Sequence, residues 1–144
     1  MLSHQRLTMN TPVLTIAERS NIDGGTWFSR LSPALRDAIL SRSVVRRLQD
    51  GTMLSARGAP ADEWCGVAKG AVRVSSVSLS GKQITLTYVE PGTWFGDISL
   101  FAGLPRTHVS NAHGETTLLV VRKADFKELL ALHTEWYEAL GRLN

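Results

Sequence analysis

Between about residues 44 and 122 the chain is divided into short Val-, Thr- and Ile-rich runs by Gly51, Gly58, Gly66, Gly70, Gly81, Gly92, Gly96, Gly103 and Gly114. Many short strands with recurrent turn signals predict an antiparallel sandwich or barrel over this stretch. Val72-Arg73-Val74-Ser75-Ser76-Val77 and Ile84-Thr85-Leu86-Thr87-Tyr88-Val89 flank Leu79-Ser80-Gly81-Lys82-Gln83. That pattern reads as a hairpin closed by a glycine turn. Thr117-Leu118-Leu119-Val120-Val121 is a nearly continuous apolar run and predicts a buried strand.

Helical patterns flank the strands. Ser32 followed by Pro33 is a helix-start signal, with Leu35, Ala38 and Ile39 at helical spacing, so a short helix is expected over 33–41. After Arg122 the period is helical again, with Phe126, Leu129, Leu130 and His133 on one face. A further helix begins near Thr134, and its stripe Trp136, Leu140 and Leu143 fits either packing within the chain or a dimer seam. The expected fold class is mainly β with flanking helices. An N-terminal arm covers 1–25, a β-roll 26–133, and the start of a C-terminal helix 134–144.

The 144 residues suit one domain with a single core, and 43% hydrophobic with 20% charged residues is ordinary for a globular protein. The single cysteine, Cys65, excludes an internal disulfide and a multi-thiolate metal site, and reads as a buried inert thiol. The net charge of +3 is not gathered into a nucleic-acid-binding stripe. Its densest cluster, Arg42, Arg46 and Arg47, reads as a solvated face. No stretch has the length of a membrane span, and Met1 to Ile16 lacks a signal-peptide apolar core, so a cytoplasmic location is expected.

One insertion between strands carries the chemistry: Gly96-Asp97-Ile98-Ser99-Leu100-Phe101-Ala102-Gly103-Leu104-Pro105-Arg106. It is long enough for one helical turn followed by a loop with a single arginine. The unpaired amides of such a turn favour an anion, and Gly96 allows close approach to the backbone. Arg106 supplies a fork of donors, Thr107 a hydroxyl, and Asp97 an acceptor for sugar hydroxyls. That set suits a ribose-phosphate ligand.

Residues 27 to 140 resemble the cyclic-nucleotide-binding domain of the catabolite-activator and fumarate-nitrate-regulator (Crp/Fnr) family of bacterial transcription regulators. Phe28, Leu31-Ser32, Gly51, Gly58 and Asp62-Glu63-Trp64 carry the likeness first, followed by Gly66-Val67-Ala68-Lys69-Gly70, Val72-Arg73-Val74 and Gly81. The strongest match is Val89-Glu90-Pro91-Gly92-Thr93-Trp94-Phe95-Gly96-Asp97-Ile98-Ser99-Leu100, with Pro105-Arg106-Thr107 and Ala112. The resemblance implies a cyclic-nucleotide-binding-type β-roll followed by the start of a dimerisation helix. It implies that Gly96 and the amides after it, Asp97, Ile98 and Ser99 included, meet ribose and phosphate. Arg106 would pair with the cyclic phosphate, and Thr107 would donate to it. Val74, Ile84 and Leu86 would wall the base. Two positions depart from the pattern: Asp97 stands where the family has glutamate, and His108 where it often has alanine beside the phosphate.

The function expected is therefore effector sensing, with cAMP or cGMP as the possible effector, no required cofactor and no catalysis. A homodimer through the C-terminal helix is expected, with DNA reached only through a domain absent from this chain and no membrane contact. Alternative readings are a regulatory module of a channel, kinase or stand-alone signalling protein, or a domain that has lost its nucleotide. A metal-dependent enzyme of cupin outline is disfavoured. His4, His108, His113 and His133 are the only histidines, and His108 and His113 fall on opposite faces of a regular strand. No metal site is expected.

Overall fold

The computed structural model describes residues 13–143, without the side chains of Ile98 and Phe101. His4 and most of the expected arm lie outside the described residues. From Val13 onward that segment carries a helix, α1 (Ile16–Asp23). Its start is fixed by a capping box: the Thr15 hydroxyl accepts from the Glu18 amide, and the Glu18 carboxylate accepts from the Thr15 amide. A 3₁₀ turn (Phe28–Arg30) leads to α2 (Pro33–Ser41), where the Ser32 hydroxyl caps Leu35 N–H at 3.2 Å.

Six strands follow, all paired antiparallel: β1 (Ser43–Leu48), β2 (Met53–Ser55), β3 (Glu63–Val77), β4 (Gln83–Val89), β5 (Trp94–Phe95) and β6 (Val109–Arg122). The order is β1-β6-β3-β4, with β2 on β6 and β5 on β3. The short helix α3 (Asp97–Ala102) interrupts the strands between β5 and β6, and α4 (Lys123–Leu132) and α5 (Glu135–Leu143) close the chain. The β3–β4 hairpin turns where expected, with the Gly81 amide donating to the Ser78 carbonyl at 2.9 Å.

The apolar run at 117–121 has no polar alternation because both faces of β3 and β6 are covered. Trp64, Ala68, Leu119 and Val121 point to one core, shared with the helices and containing Ile22, Phe28, Leu35, Ile39, Phe126, Leu129 and Trp136. Their neighbours Cys65, Val67, Leu118 and Val120 point to the other, inside the roll. Period-two alternation thus separates two buried faces rather than a buried and a wet one. Trp94 belongs to the first, its ring lying over Gly66, where an added Cβ would meet ring atoms at 2.6 Å.

The stripe of α5 is core. Trp136 is fully buried and Leu140 is buried, with Leu143 packed beside them, and Trp27 Nε1 donates to the Ala139 carbonyl at 2.6 Å. Packing within the chain, one of the two uses open to this stripe, is the one observed.

Arg42, Arg46 and Arg47 each hold a carboxylate far along the chain: Glu128 at 2.7 Å, Glu63 at 2.7 Å and Glu18 at 2.8 Å. The cluster is a partly solvated face, with the Arg46 and Arg47 side chains 39% and 44% exposed, that also ties elements together. Glu18 is 3% exposed. Burial, the largest influence, pushes its carboxyl up. Hydrogen bonds from Thr117, the Thr15 amide and Arg47, with the Arg47 charge, outweigh it and hold the carboxyl below the usual range. The folded pKa is then the lower one, so as pH falls the unfolded chain takes up the proton first. The contribution of Glu18 is complete above the ordinary carboxylate range and is lost as pH falls from that range through the lower folded pKa. Thermal melts from pH 7 to pH 3 should show a steeper acid decline for wild type than for Glu18→Gln. Equal slopes would rule out this role.

Candidate functional site

The insertion folds as one short helix and an anchored loop. Gly96, the residue before α3, has φ of 94°, a conformation that favours glycine, and an added Cβ would crowd Arg106 Nη1 at 3.0 Å. The first-turn amides of α3 have no carbonyl four residues back within the helix. Asp97 opens the helix and is buried at 4% exposure.

Arg106 is held from both sides. Its amide donates to the Ala59 carbonyl at 2.8 Å, and its own carbonyl accepts from Gly58 N–H at 2.7 Å. Its guanidinium reaches back across the loop: Nη1 donates to the Gly96 carbonyl at 2.8 Å and Nη2 to the Glu63 carbonyl. Two of five guanidinium N–H groups are thereby used, and the fork is fixed in orientation. Thr107 Oγ1 and His108 Nδ1 lie 2.9 Å apart, and the ring tautomer decides which donates.

These residues line a cavity of about 700 Å³, within the range of small-ligand sites. Gly96, Asp97, Ser99, Arg106, Thr107, His108 and Val74 all border it. Ile98 belongs to α3, but its side chain is outside the description. Ile84 and Leu86 are not brought to the cavity; they are 47% and 52% exposed on β4. The register explains this. Val74 pairs with Thr87 but Ser75 with Thr85, so Leu86 is the extra residue of a bulge and Ile84 lies beyond it toward the hairpin turn. The β4 residue that does border the cavity is Val89.

Ser55, Glu63, Leu104, Ser110 and Leu143 also line it, although nothing in the sequence assigned them to the site. Glu63 matters through two groups. Its carbonyl positions Arg106, while its side chain is gripped by Arg46 through two hydrogen bonds of 2.8 and 2.7 Å. The Arg46 hydrogen bonds, against burial and with the charges of Arg46, Arg122 and Arg106, hold the Glu63 carboxyl below its usual range.

Cys65 forms part of the cavity wall and is buried. Burial, with the nearby Glu63 charge, pushes its thiol up to about 12. It is a packing group, not a nucleophile. Iodoacetamide at pH 8 should leave the folded protein unmodified by mass spectrometry and label it fully in urea. Labelling at equal rates in both states would refute this. Among the described residues no three His, Cys, Asp or Glu side chains come together as a metal site, and no helix is long and apolar enough to cross a membrane.

The cyclic nucleotide-binding domain model matches residues 45–133, and the chain belongs to that family. The N-terminal domain of a transcriptional regulator from Streptomyces coelicolor superposes with a TM-score of 0.73 at 27% identity, over 85% of this chain and 86% of that one. The Thermus thermophilus catabolite activator protein gives 0.74 at 28% identity, over 81% of this chain and 55% of its own. A cyclic nucleotide-gated potassium channel from Mesorhizobium japonicum is 28% identical over 108 residues, 75% of this chain but 28% of the channel. The chain thus spans about a quarter of that channel's length and about half of the activator's.

Proposed function

We propose that this chain is the ligand-sensing domain of a Crp/Fnr-type transcription regulator and that its effector is a cyclic nucleotide such as cAMP or cGMP. The observation that carries the reading is Arg106, fixed at its backbone and by two carbonyls, with three guanidinium N–H groups unused by those bonds inside a nucleotide-sized cavity. Arg106, Thr107 and the first amides of α3, those of Ile98 and Ser99 among them, hold the cyclic phosphate. Asp97 accepts from the ribose, His108 borders the phosphate, and Val74 and Val89 flank the base. The domain is regulatory, needs no cofactor and acts in the cytoplasm.

Signalling runs to α5. Trp94 lines the cavity and stacks on Trp64 at 4.4 Å; Trp64 meets Trp136 of α5 at 5.2 Å, and Leu143 of α5 borders the cavity itself. A ligand moves this helix only if it binds one of its positions more tightly than another. Dimerisation through α5 uses its exposed side, including Tyr137, because Trp136 and Leu140 are already buried. DNA is contacted through a domain outside this chain. The likeness to a gated channel supports a second reading, in which the same domain regulates a channel.

Titration calorimetry with cAMP and cGMP, and 5′-AMP as control, tests the ligand. Heat with either cyclic nucleotide and none with 5′-AMP is expected. Absence of binding by both cyclic nucleotides would overturn the proposal.

A further inference from the structure

The wall of the cavity is interrupted by two serines. Ser55 of β2 pairs with Ser110 of β6, and Ser110 pairs with Val74 of β3, so the three lie side by side on the cavity lining. Ser110 is 8% exposed, and the two hydroxyl oxygens are 2.8 Å apart. A buried hydroxyl is unfavourable unless it is satisfied. Each hydroxyl has one hydrogen to donate. The mutual bond uses one of the two, and among the described residues neither side chain has another protein partner. One hydroxyl hydrogen and several lone pairs are therefore left over from the mutual bond, on two residues that line the cavity.

We infer that the Ser55–Ser110 hydroxyl pair hydrogen-bonds the edge of the ligand's base and gives the cavity its tolerance of both adenine and guanine. The inference rests on the cyclic nucleotide reading above. Position supports it: Ser110 is three residues from Thr107, within roughly 11 Å of chain, the span from a ribose phosphate to the far edge of its base. Chemistry supports it as well. Either serine can donate to the other. The pair thus presents donor-then-acceptor or acceptor-then-donor, depending on the direction of their bond. Adenine offers an acceptor at N1 beside a donor at its 6-amino group. Guanine offers the reverse, a donor at N1 beside an acceptor at O6. The pair matches both, so this cavity accepts both purines.

Calorimetry on wild type, Ser55→Ala and Ser110→Ala tests the inference with three ligands: cAMP, cGMP and the 3′,5′-cyclic monophosphate of unsubstituted purine riboside. Wild type should bind cAMP and cGMP within about tenfold of each other, and each variant should weaken both by about five- to tenfold. The analogue, lacking the 6-substituent, should lose a smaller factor. Unchanged binding in both variants overturns the inference while leaving the ligand reading intact. Equal weakening of all three ligands also overturns it, since that is the signature of a pair that only ties β2 to β6. A wild type that prefers one purine more than 100-fold overturns it too. Failure of wild type to bind any of the three brings down the ligand reading and this inference with it.

Discussion

Arg106→Ala should weaken cyclic nucleotide binding by about 30- to 3,000-fold, the range for truncating one partner of a desolvated charge pair. Two effects add. The phosphate loses a charged fork whose direction was fixed before binding, and the Gly96 and Glu63 carbonyls lose the donor that holds the α3 loop against the start of β3. Arg106→Lys separates them. Lysine keeps the charge but is a point donor, unable to span both carbonyls and a phosphate. It should recover only a minor part of the affinity. Calorimetry reads the binding, and a thermal melt on each variant confirms that it is folded. A folded Arg106→Ala protein with wild-type affinity would remove the arginine from the site. A lysine variant as tight as wild type would show that charge alone suffices.

What was legible in the sequence follows the distance over which each feature is determined. Gly96, Asp97, Arg106 and Thr107 fall within one short insertion, so their meeting needs only a local turn, and it is present. The Ser32-capped helix and the glycine hairpin are equally local. The wall of the cavity is not. Ile84 and Leu86 came from the resemblance alone, which does not show that Leu86 is a bulge residue and that Ile84 pairs with Ser76 close to the hairpin turn. Ser55 and Ser110 meet only through β2–β6 pairing across 55 residues. The ties made by Arg42, Arg46 and Arg47 were hidden because their carboxylates lie 17 to 86 residues away. Helix α1 was missed for another reason. It buries Ile22 as its one apolar residue, so periodicity is faint, yet Thr15 and Glu18 spell a capping box that was available to read.

The stripe on α5 shows a limit of pattern reading, since Trp136 and Leu140 have the same spacing whether they face a partner or their own core. The structure's answer has an energetic consequence. Trp136→Ala should destabilise the domain by about 3 to 5 kcal/mol, the usual range for emptying a buried aromatic site. Trp136 is fully buried, and its ring meets Trp27 at 6.0 Å, Trp64 at 5.2 Å and Phe126 at 5.8 Å. Its indole N–H has no hydrogen-bond partner among the described residues, so the loss is one of packing alone. Trp136→Phe should therefore cost much less than alanine, because it removes an unsatisfied polar group along with part of the ring. Urea denaturation followed by circular dichroism ranks the three proteins. If Trp136 instead belonged to an intermolecular seam, the alanine variant would keep monomer stability and change only the concentration dependence of unfolding. A loss of several kcal/mol at every protein concentration places α5 in the core of the sensing domain.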